Sequence, residues 1–173
     1  AERTTLEAIE LSRRPVAVTH ANPRFCKDTP RNKSNRVLAA LGETGGMLGF
    51  SLYPPHLPDG ADTTLAAFTE MVARAAEIAG VEQLGIGSDM CRGWDGRTID
   101  WMRNGRWRQV PEAERAGFAE APWPAQPDWF RTPADMPNVA TGLRARGFAA
   151  AEVDGLMGDN WARFLREALE PAA

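Results

Sequence analysis

The chain has 173 residues, a length typical of one domain, and 43% of them are hydrophobic, which is enough for a packed core. Its net charge of −3 argues against a nucleic-acid partner, which would call for a basic face. No apolar run approaches the roughly 20 residues of a membrane helix, and no signal peptide is visible. Cys26 and Cys91 lie far apart in polar segments and predict neither a disulfide framework nor a zinc finger. We therefore expect a cytoplasmic protein.

The first predicted elements are a helix and a strand. Thr4 or Thr5 can cap the helix, which is expected to run to about Arg13 because Pro15 ends it. Residues 16–19 then form a short β-branched run, typical of a strand that is buried on both faces.

A second helix and strand follow. Ser34 is placed to cap a helix that ends at Gly45. The apolar residues 47–52 predict a strand, which cannot continue through the prolines at 54–55.

The third helix is predicted to be the longest. Thr63 or Thr64 caps it, Gly80 closes it, and a third strand is expected at residues 84–87. Because helices and strands alternate, the strands should be parallel and joined by right-handed crossovers. The sequence therefore predicts an α/β fold.

Residues 90–134 break this alternation. The segment is rich in proline and contains five of the six tryptophans: Trp94, Trp101, Trp107, Trp123 and Trp129. Two interpretations stay open, in which the tryptophans either anchor a long loop to the domain or form a lid over the site described next. After the loop, Pro137 predicts a helix that ends at Gly147, and residues 150–168 predict one broken helix or two short ones.

Two of the predicted strands end in residues that can carry chemistry. His20 follows the first strand and Arg31 lies eleven positions later in a polar loop, while the third strand leads into Asp89. In parallel α/β folds, ligands bind beyond the carboxyl ends of the strands. Structural roles also remain open, since Arg31 can pair with Asp28 and Asp89 can cap a turn with Ser88.

These residues resemble the motifs of the renal (membrane) dipeptidase family of zinc peptidases. The family's strand-end histidine, followed after eleven residues by arginine and asparagine, matches His20 and residues 31–32. Its glycine-rich strand end that leads into aspartate matches residues 85–89, and its closing glycine-aspartate-asparagine matches residues 158–160. The resemblance is continuous from about Thr5 to Leu169 and corresponds to the C-terminal half of a family member.

The resemblance implies a fold and a site. The fold would be the C-terminal part of a (β/α)8 TIM-type barrel, with residues 1–173 as a single region. His20 would ligate one zinc of a binuclear pair, a role that suits neutral imidazole. Arg31 and Asn32 would bind the dipeptide substrate, with the guanidinium gripping its terminal carboxylate. Asp89 would lie beside the metal-bridging water and assist proton transfer.

The chain departs from the family pattern at two places. The family often has Phe-Asp-Gly after the strand-end aspartate, whereas here residues 90–92 are Met-Cys-Arg and residues 94–96, Trp-Asp-Gly, follow as a displaced equivalent. His56 matches no residue with a family role and is expected to be an ordinary loop residue.

The family's other metal ligands precede the region that this chain resembles. Since His20 and His56 are the only histidines, the chain by itself is expected to hold no binuclear metal and to be inactive. Its missing half would come from a longer enzyme or a partner chain, a homodimer included, packed against the strand nearest His20. The rival hypothesis is a catalytically silent fragment that serves as a scaffold or binding module.

Overall fold

The computed structural model describes residues 2–91, 98, 101 and 124–169. Helices and strands alternate in residues 2–91, and three helices lie within residues 124–169. The helices and strands are α1 (Glu2–Leu11), β1 (Ala17–Val18), α2 (Asn35–Glu43), β2 (Met47–Phe50), α3 (Leu65–Ala79), β3 (Leu84–Ile86), α4 (Met136–Arg146), α5 (Ala150–Asp154) and α6 (Asn160–Leu169). Among the described residues, no helix is long and apolar enough to cross a bilayer.

The three described strands form one parallel sheet in the order β1-β2-β3. Ala17 pairs with Met47, and Leu48 pairs with Leu84. The predicted α/β fold with parallel strands is thus confirmed. In this part of the chain β2 is the central strand, and all four of its residues are buried.

Local signals fix the start of two helices at the predicted residues. The Ser34 hydroxyl accepts a hydrogen bond from the backbone N–H of Val37, and the Thr64 hydroxyl accepts one from Ala67 at 3.1 Å. Such caps satisfy backbone donors that the first helical turn leaves without partners.

The expectation that Thr4 or Thr5 caps α1 was wrong, because both residues lie inside the helix. Helix α1 ends at Leu11, so the prediction that it runs to about Arg13 was also wrong, by two residues. The reason is Ser12, whose hydroxyl donates to the Arg14 carbonyl at 2.7 Å and accepts from the Arg14 N–H at 3.2 Å. A serine that bonds the nearby backbone in this way competes with the helix.

The core lies between the sheet and the helices that cover it. Its largest fully buried members come from the strands, from α2, α3 and α4, and from the segments after β2 and before α4: Leu38, Leu41, Met47, Leu48, Phe50, Leu52, Leu57, Phe68, Met71, Leu84, Phe130 and Leu143. Phe50 and Phe68 meet edge to face with ring centroids 6.1 Å apart, which joins β2 to α3.

The helix α6 is held against β3 by side chains that bond the strand's backbone. The Asn160 amide donates to the carbonyls of Val81 and Leu84 at 2.9 and 2.8 Å, and the Trp161 indole donates to Ile86 at 3.1 Å. Gly158, with its non-helical backbone, separates α5 from α6. The expected break within residues 150–168 is therefore confirmed.

Candidate active site

The segment after β1 crosses the carboxyl ends of the other two strands. The Ala21 N–H donates to the Gly49 carbonyl at 2.9 Å. A Cβ at Gly49 or Gly87 would lie 2.1 or 1.8 Å from the Thr19 carbonyl oxygen, so this crossing requires glycine at both positions. The crossing places His20 over the ends of β2 and β3.

His20 and Arg31 contact each other directly at this edge of the sheet. The Arg31 guanidinium is hydrogen-bonded to His20 Nε2, and Thr19 Oγ1 lies 2.8 Å from His20 Nδ1. Because a guanidinium has only donors, Nε2 must accept, and the ring proton is therefore on Nδ1, where it can be donated to Thr19. The Arg31–Asp28 pair considered above does not form, because Asp28 lies 3.3 Å from Arg24 instead.

Two buried asparagines fix the loop that carries Arg31. Asn22 is fully buried and Asn32 is 1% exposed. The Asn22 N–H donates to Asn32 Oδ1 at 3.1 Å, and Asn22 Oδ1 accepts from the Ser51 N–H at 3.0 Å. The Asn32 amide also donates to the Lys27 carbonyl at 2.9 Å. The Asn32 amide therefore bonds the protein's own backbone, whereas the neighbouring Arg31 is exposed. Direct contact of Asn32 with the substrate stays a prediction.

His56 is the residue of this site that sequence reasoning missed. It ends a single helical turn after β2, and its Nδ1 lies 2.8 Å from the Ser51 hydroxyl. Burial first, and then the nearby Arg31, His20 and Lys27, lower the pKa of His56 to about 4 against the opposing effect of Asp89. His56 is therefore neutral at pH 7 and lies within electrostatic range of the three predicted site residues His20, Arg31 and Asp89. The sequence contains no signal for this role except that His56 directly follows a pair of prolines after a predicted strand.

Asp89 follows β3 at the same edge of the sheet. It is exposed and adopts a φ of 57°, a left-handed conformation that costs about 1–2 kcal/mol in most residues with a Cβ. No described residue forms a hydrogen bond or ion pair with its carboxylate. The neighbouring turn is closed by Ser88, whose hydroxyl accepts from the Met90 N–H at 3.3 Å. Among the described residues, nothing therefore blocks the Asp89 side chain from a ligand.

Cys91 lies next to Asp89 and has its pKa raised, by burial first and by the Asp89 charge second. The thiol is therefore protonated at neutral pH and is a poor nucleophile or metal ligand in this state.

The donor set of the described residues does not fit a metal pair. Within residues 2–91, 98, 101 and 124–169, no three His, Cys, Asp or Glu side chains lie close enough together to hold a metal ion. A neutral imidazole is a suitable zinc ligand, but His20 Nε2 accepts the Arg31 guanidinium here and has no second metal-binding side chain beside it in this part of the chain.

The predicted Trp-rich segment is described only in part. Residues 94–96, the displaced Trp-Asp-Gly, and Trp107 and Trp123 lie outside the described residues. Trp129 lies within them; its indole donates to the Thr63 carbonyl at 2.7 Å, and its ring lies 5.2 Å from that of Phe68. Trp129 therefore anchors the end of this segment to the start of α3, while the lid remains a prediction.

A parallel α/β sheet with polar residues gathered at the carboxyl ends of its strands is typical of the class of barrel-type α/β folds, and this chain forms part of such a fold. Within that class, the chain belongs to the membrane dipeptidase family (peptidase family M19), whose sequence profile matches residues 1–101. The matched range includes His20, Arg31 and Asp89.

Two curated proteins are similar to the chain. An uncharacterized protein from the pqqA 5′ region of Klebsiella pneumoniae is 26% identical over 88% of this chain and 46% of its own length. The dipeptidase ataJ of Aspergillus terreus is 32% identical over 51% of this chain and 22% of its own length.

Solved structures show the same fold. An amidohydrolase from Pseudomonas aeruginosa matches with a TM-score of 0.81 and 30% identity, over 95% of this chain and 49% of that protein. A metallo peptidase from Rhodobacter sphaeroides, liganded with a phosphinate mimic of the dipeptide L-Ala-D-Ala, matches with a TM-score of 0.73 and 20% identity, over 96% and 40%. The chain thus spans at most about half the length of these proteins.

Proposed function

We propose that this chain forms the C-terminal half of a zinc-dependent dipeptidase, which hydrolyses dipeptides or related small amides when complete. The observation that carries the proposal is the direct contact of His20 with Arg31 at the carboxyl ends of the strands, within the segment that matches the dipeptidase family. The metallo peptidase bound to a dipeptide mimic supports the substrate class by analogy of fold alone.

Each site residue has a role that suits its chemistry. His20 would offer Nε2 as one zinc ligand once the Arg31 guanidinium, which bonds that nitrogen here, turns to the substrate, while Thr19 holds the other ring nitrogen. The planar Arg31 guanidinium binds the substrate's terminal carboxylate through two parallel hydrogen bonds, and Asn32 supports this contact by holding the loop. Asp89, whose carboxylate no described residue engages, accepts and returns a proton during hydrolysis.

The remaining metal ligands must come from protein outside the described residues. The missing N-terminal half or a partner chain, a second copy included, would supply them. We expect this protein to lie against β1, the edge strand nearest His20, because an unpaired edge favours addition of a further strand.

A second candidate function is a catalytically silent scaffold or binding module. It is favoured by the lack of any cluster of three metal-binding side chains in the part of the chain that the structure describes. Hydrolysis decides between the two candidates, since a silent domain has no turnover.

The test is a panel of dipeptides incubated with the protein at its natural length, before and after chelation and with zinc added back. We expect turnover that chelation abolishes and zinc restores. Asp89→Asn should lower kcat by roughly 10²-fold or more, whereas the matched control Asp154→Asn, at an exposed position in α5, should leave it unchanged. No turnover of any dipeptide by the zinc-supplied protein would overturn the proposal in favour of the silent module.

A further inference from the structure

His56 anchors the turn after β2 through its side chain. Its Nδ1 lies 2.8 Å from Ser51 Oγ, and its ring meets that of Tyr53 edge to face at 5.0 Å. Ser51 Oγ also accepts the Tyr53 N–H at 3.2 Å. Since the neutral imidazole can accept the Ser51 hydroxyl proton, the ring and the turn hold each other in one arrangement.

The backbone carbonyl of the same residue is the point at which the two buried asparagines meet. Asn22 Nδ2 donates to it at 3.2 Å and Asn32 Nδ2 at 3.1 Å. Each amide places its other N–H on a second carbonyl, that of Ser51 at 2.9 Å or Lys27 at 2.9 Å. One carbonyl group therefore joins the end of β1, the end of β2 and the loop that carries Arg31.

The position of Arg31 depends on these hydrogen bonds to the His56 carbonyl. Its side chain is exposed, and its only hydrogen bond to a described residue is the one to His20. The residue beside it, Asn32, is 1% exposed and is fixed at both ends of its amide. Displacement of the His56 carbonyl would therefore release Asn32 and move the Arg31 backbone.

We propose that His56 is a positioning residue, which holds the Arg31 guanidinium where it binds the substrate's carboxylate by fixing the Asn32 amide. The inference rests on the proposed dipeptidase function. The low pKa of His56 is consistent with it, because a neutral ring does not repel the nearby guanidinium at pH 7.

The experiment compares a dipeptide with its C-terminal amide as substrates of the natural-length, zinc-supplied protein. In His56→Ala the ring no longer anchors the turn, and we expect KM for the free acid to rise about tenfold. This rise corresponds to part of the binding free energy that a charge-assisted hydrogen bond between Arg31 and the substrate's carboxylate contributes. The kcat should change little, and kcat/KM for the amide should be unaltered because the amide offers Arg31 no carboxylate. His56→Asn, whose amide reaches the position of Nδ1, should restore KM.

Ser51→Ala removes the same anchor with a smaller change and is the second variant if His56→Ala fails to fold. Ser12→Ala, at the opposite end of the sheet, is its matched control. Equal losses on acid and amide would overturn the inference, since they indicate a general structural role, and so would an unchanged KM in folded variants. No turnover by the unsubstituted protein would instead overturn the proposed function, and the inference with it.

Discussion

The buried amide of Asn22 is predicted to be the side chain of the site on which stability depends most. It is fully buried and makes three hydrogen bonds, to the Ser51 N–H at 3.0 Å, the Ser51 carbonyl at 2.9 Å and the His56 carbonyl at 3.2 Å. In Asn22→Ala, the His56 carbonyl keeps its bond from Asn32, but both backbone groups of Ser51 lose these partners. Each buried group without a partner costs about 1–3 kcal/mol, so the free energy of unfolding should fall by about 2–6 kcal/mol.

Urea unfolding followed by tryptophan fluorescence measures this loss as a lower midpoint at unchanged slope. The matched control is Asn138→Ala, because Asn138 is exposed and donates one hydrogen bond, to the Trp129 carbonyl at 3.0 Å. The control should lose less than about 1 kcal/mol. Asn22→Asp keeps the shape but not the donors and should be at least as damaging as Asn22→Ala. If the free energy of unfolding of Asn22→Ala falls by less than about 1 kcal/mol, with the slope unchanged, the backbone groups of Ser51 do not depend on the Asn22 amide.

Three further predictions concern Arg31, the strand crossing and His56. Arg31→Lys should lower kcat/KM for a dipeptide far more than for its C-terminal amide, since an ammonium cannot bind a carboxylate through two parallel bonds; equal losses would show that Arg31 does not bind the carboxylate. Gly87→Ala should lose about 3 kcal/mol or more in urea unfolding, because its Cβ would lie 1.8 Å from the Thr19 carbonyl oxygen, whereas Gly158→Ala, with nothing within 4 Å, should lose less than about 1 kcal/mol. The fold lowers the pKa of His56 to about 4, so the unfolded chain binds more protons than the folded one between about pH 6.5 and 4, and stability should fall as the pH falls through that window. The loss is at most about 3 kcal/mol, and solvent at the half-buried ring reduces it. Unfolding curves measured across the window should show this loss in the unsubstituted protein and not in His56→Gln.

Local chemistry explains why much of the fold could be predicted from the sequence. Ser34 and Thr64 cap helices through bonds to residues three positions away, and Gly147 ends α4 in a left-handed conformation. The signals for these boundaries lie within a few residues. The early end of α1 was missed because the hydrogen bonds between Ser12 and the Arg14 backbone compete with continuation of the helix, and the sequence does not show which of the two forms.

The candidate site was predictable where a residue follows a strand or matches a family motif. The strand rule and the resemblance both pointed to His20 and Asp89, and the resemblance alone gave Arg31 and Asn32 their roles. The role of His56 was not, because it depends on bonds to Asn22 and Asn32, which are 34 and 24 positions away in the sequence. The close approach of the Thr19 carbonyl to Gly49 and Gly87 could not be predicted either, because it also joins residues that are far apart in the sequence.

We propose that this chain supplies part of a dipeptidase site and that other protein supplies the rest. The most direct test determines zinc content and dipeptide turnover in parallel, for the isolated 173-residue chain and for the protein at its natural length. We expect turnover with a bound zinc pair in the natural-length protein, and neither in the isolated chain. Two equivalents of zinc with turnover in the isolated chain would contradict it, as would a natural-length protein that binds zinc and hydrolyses no dipeptide.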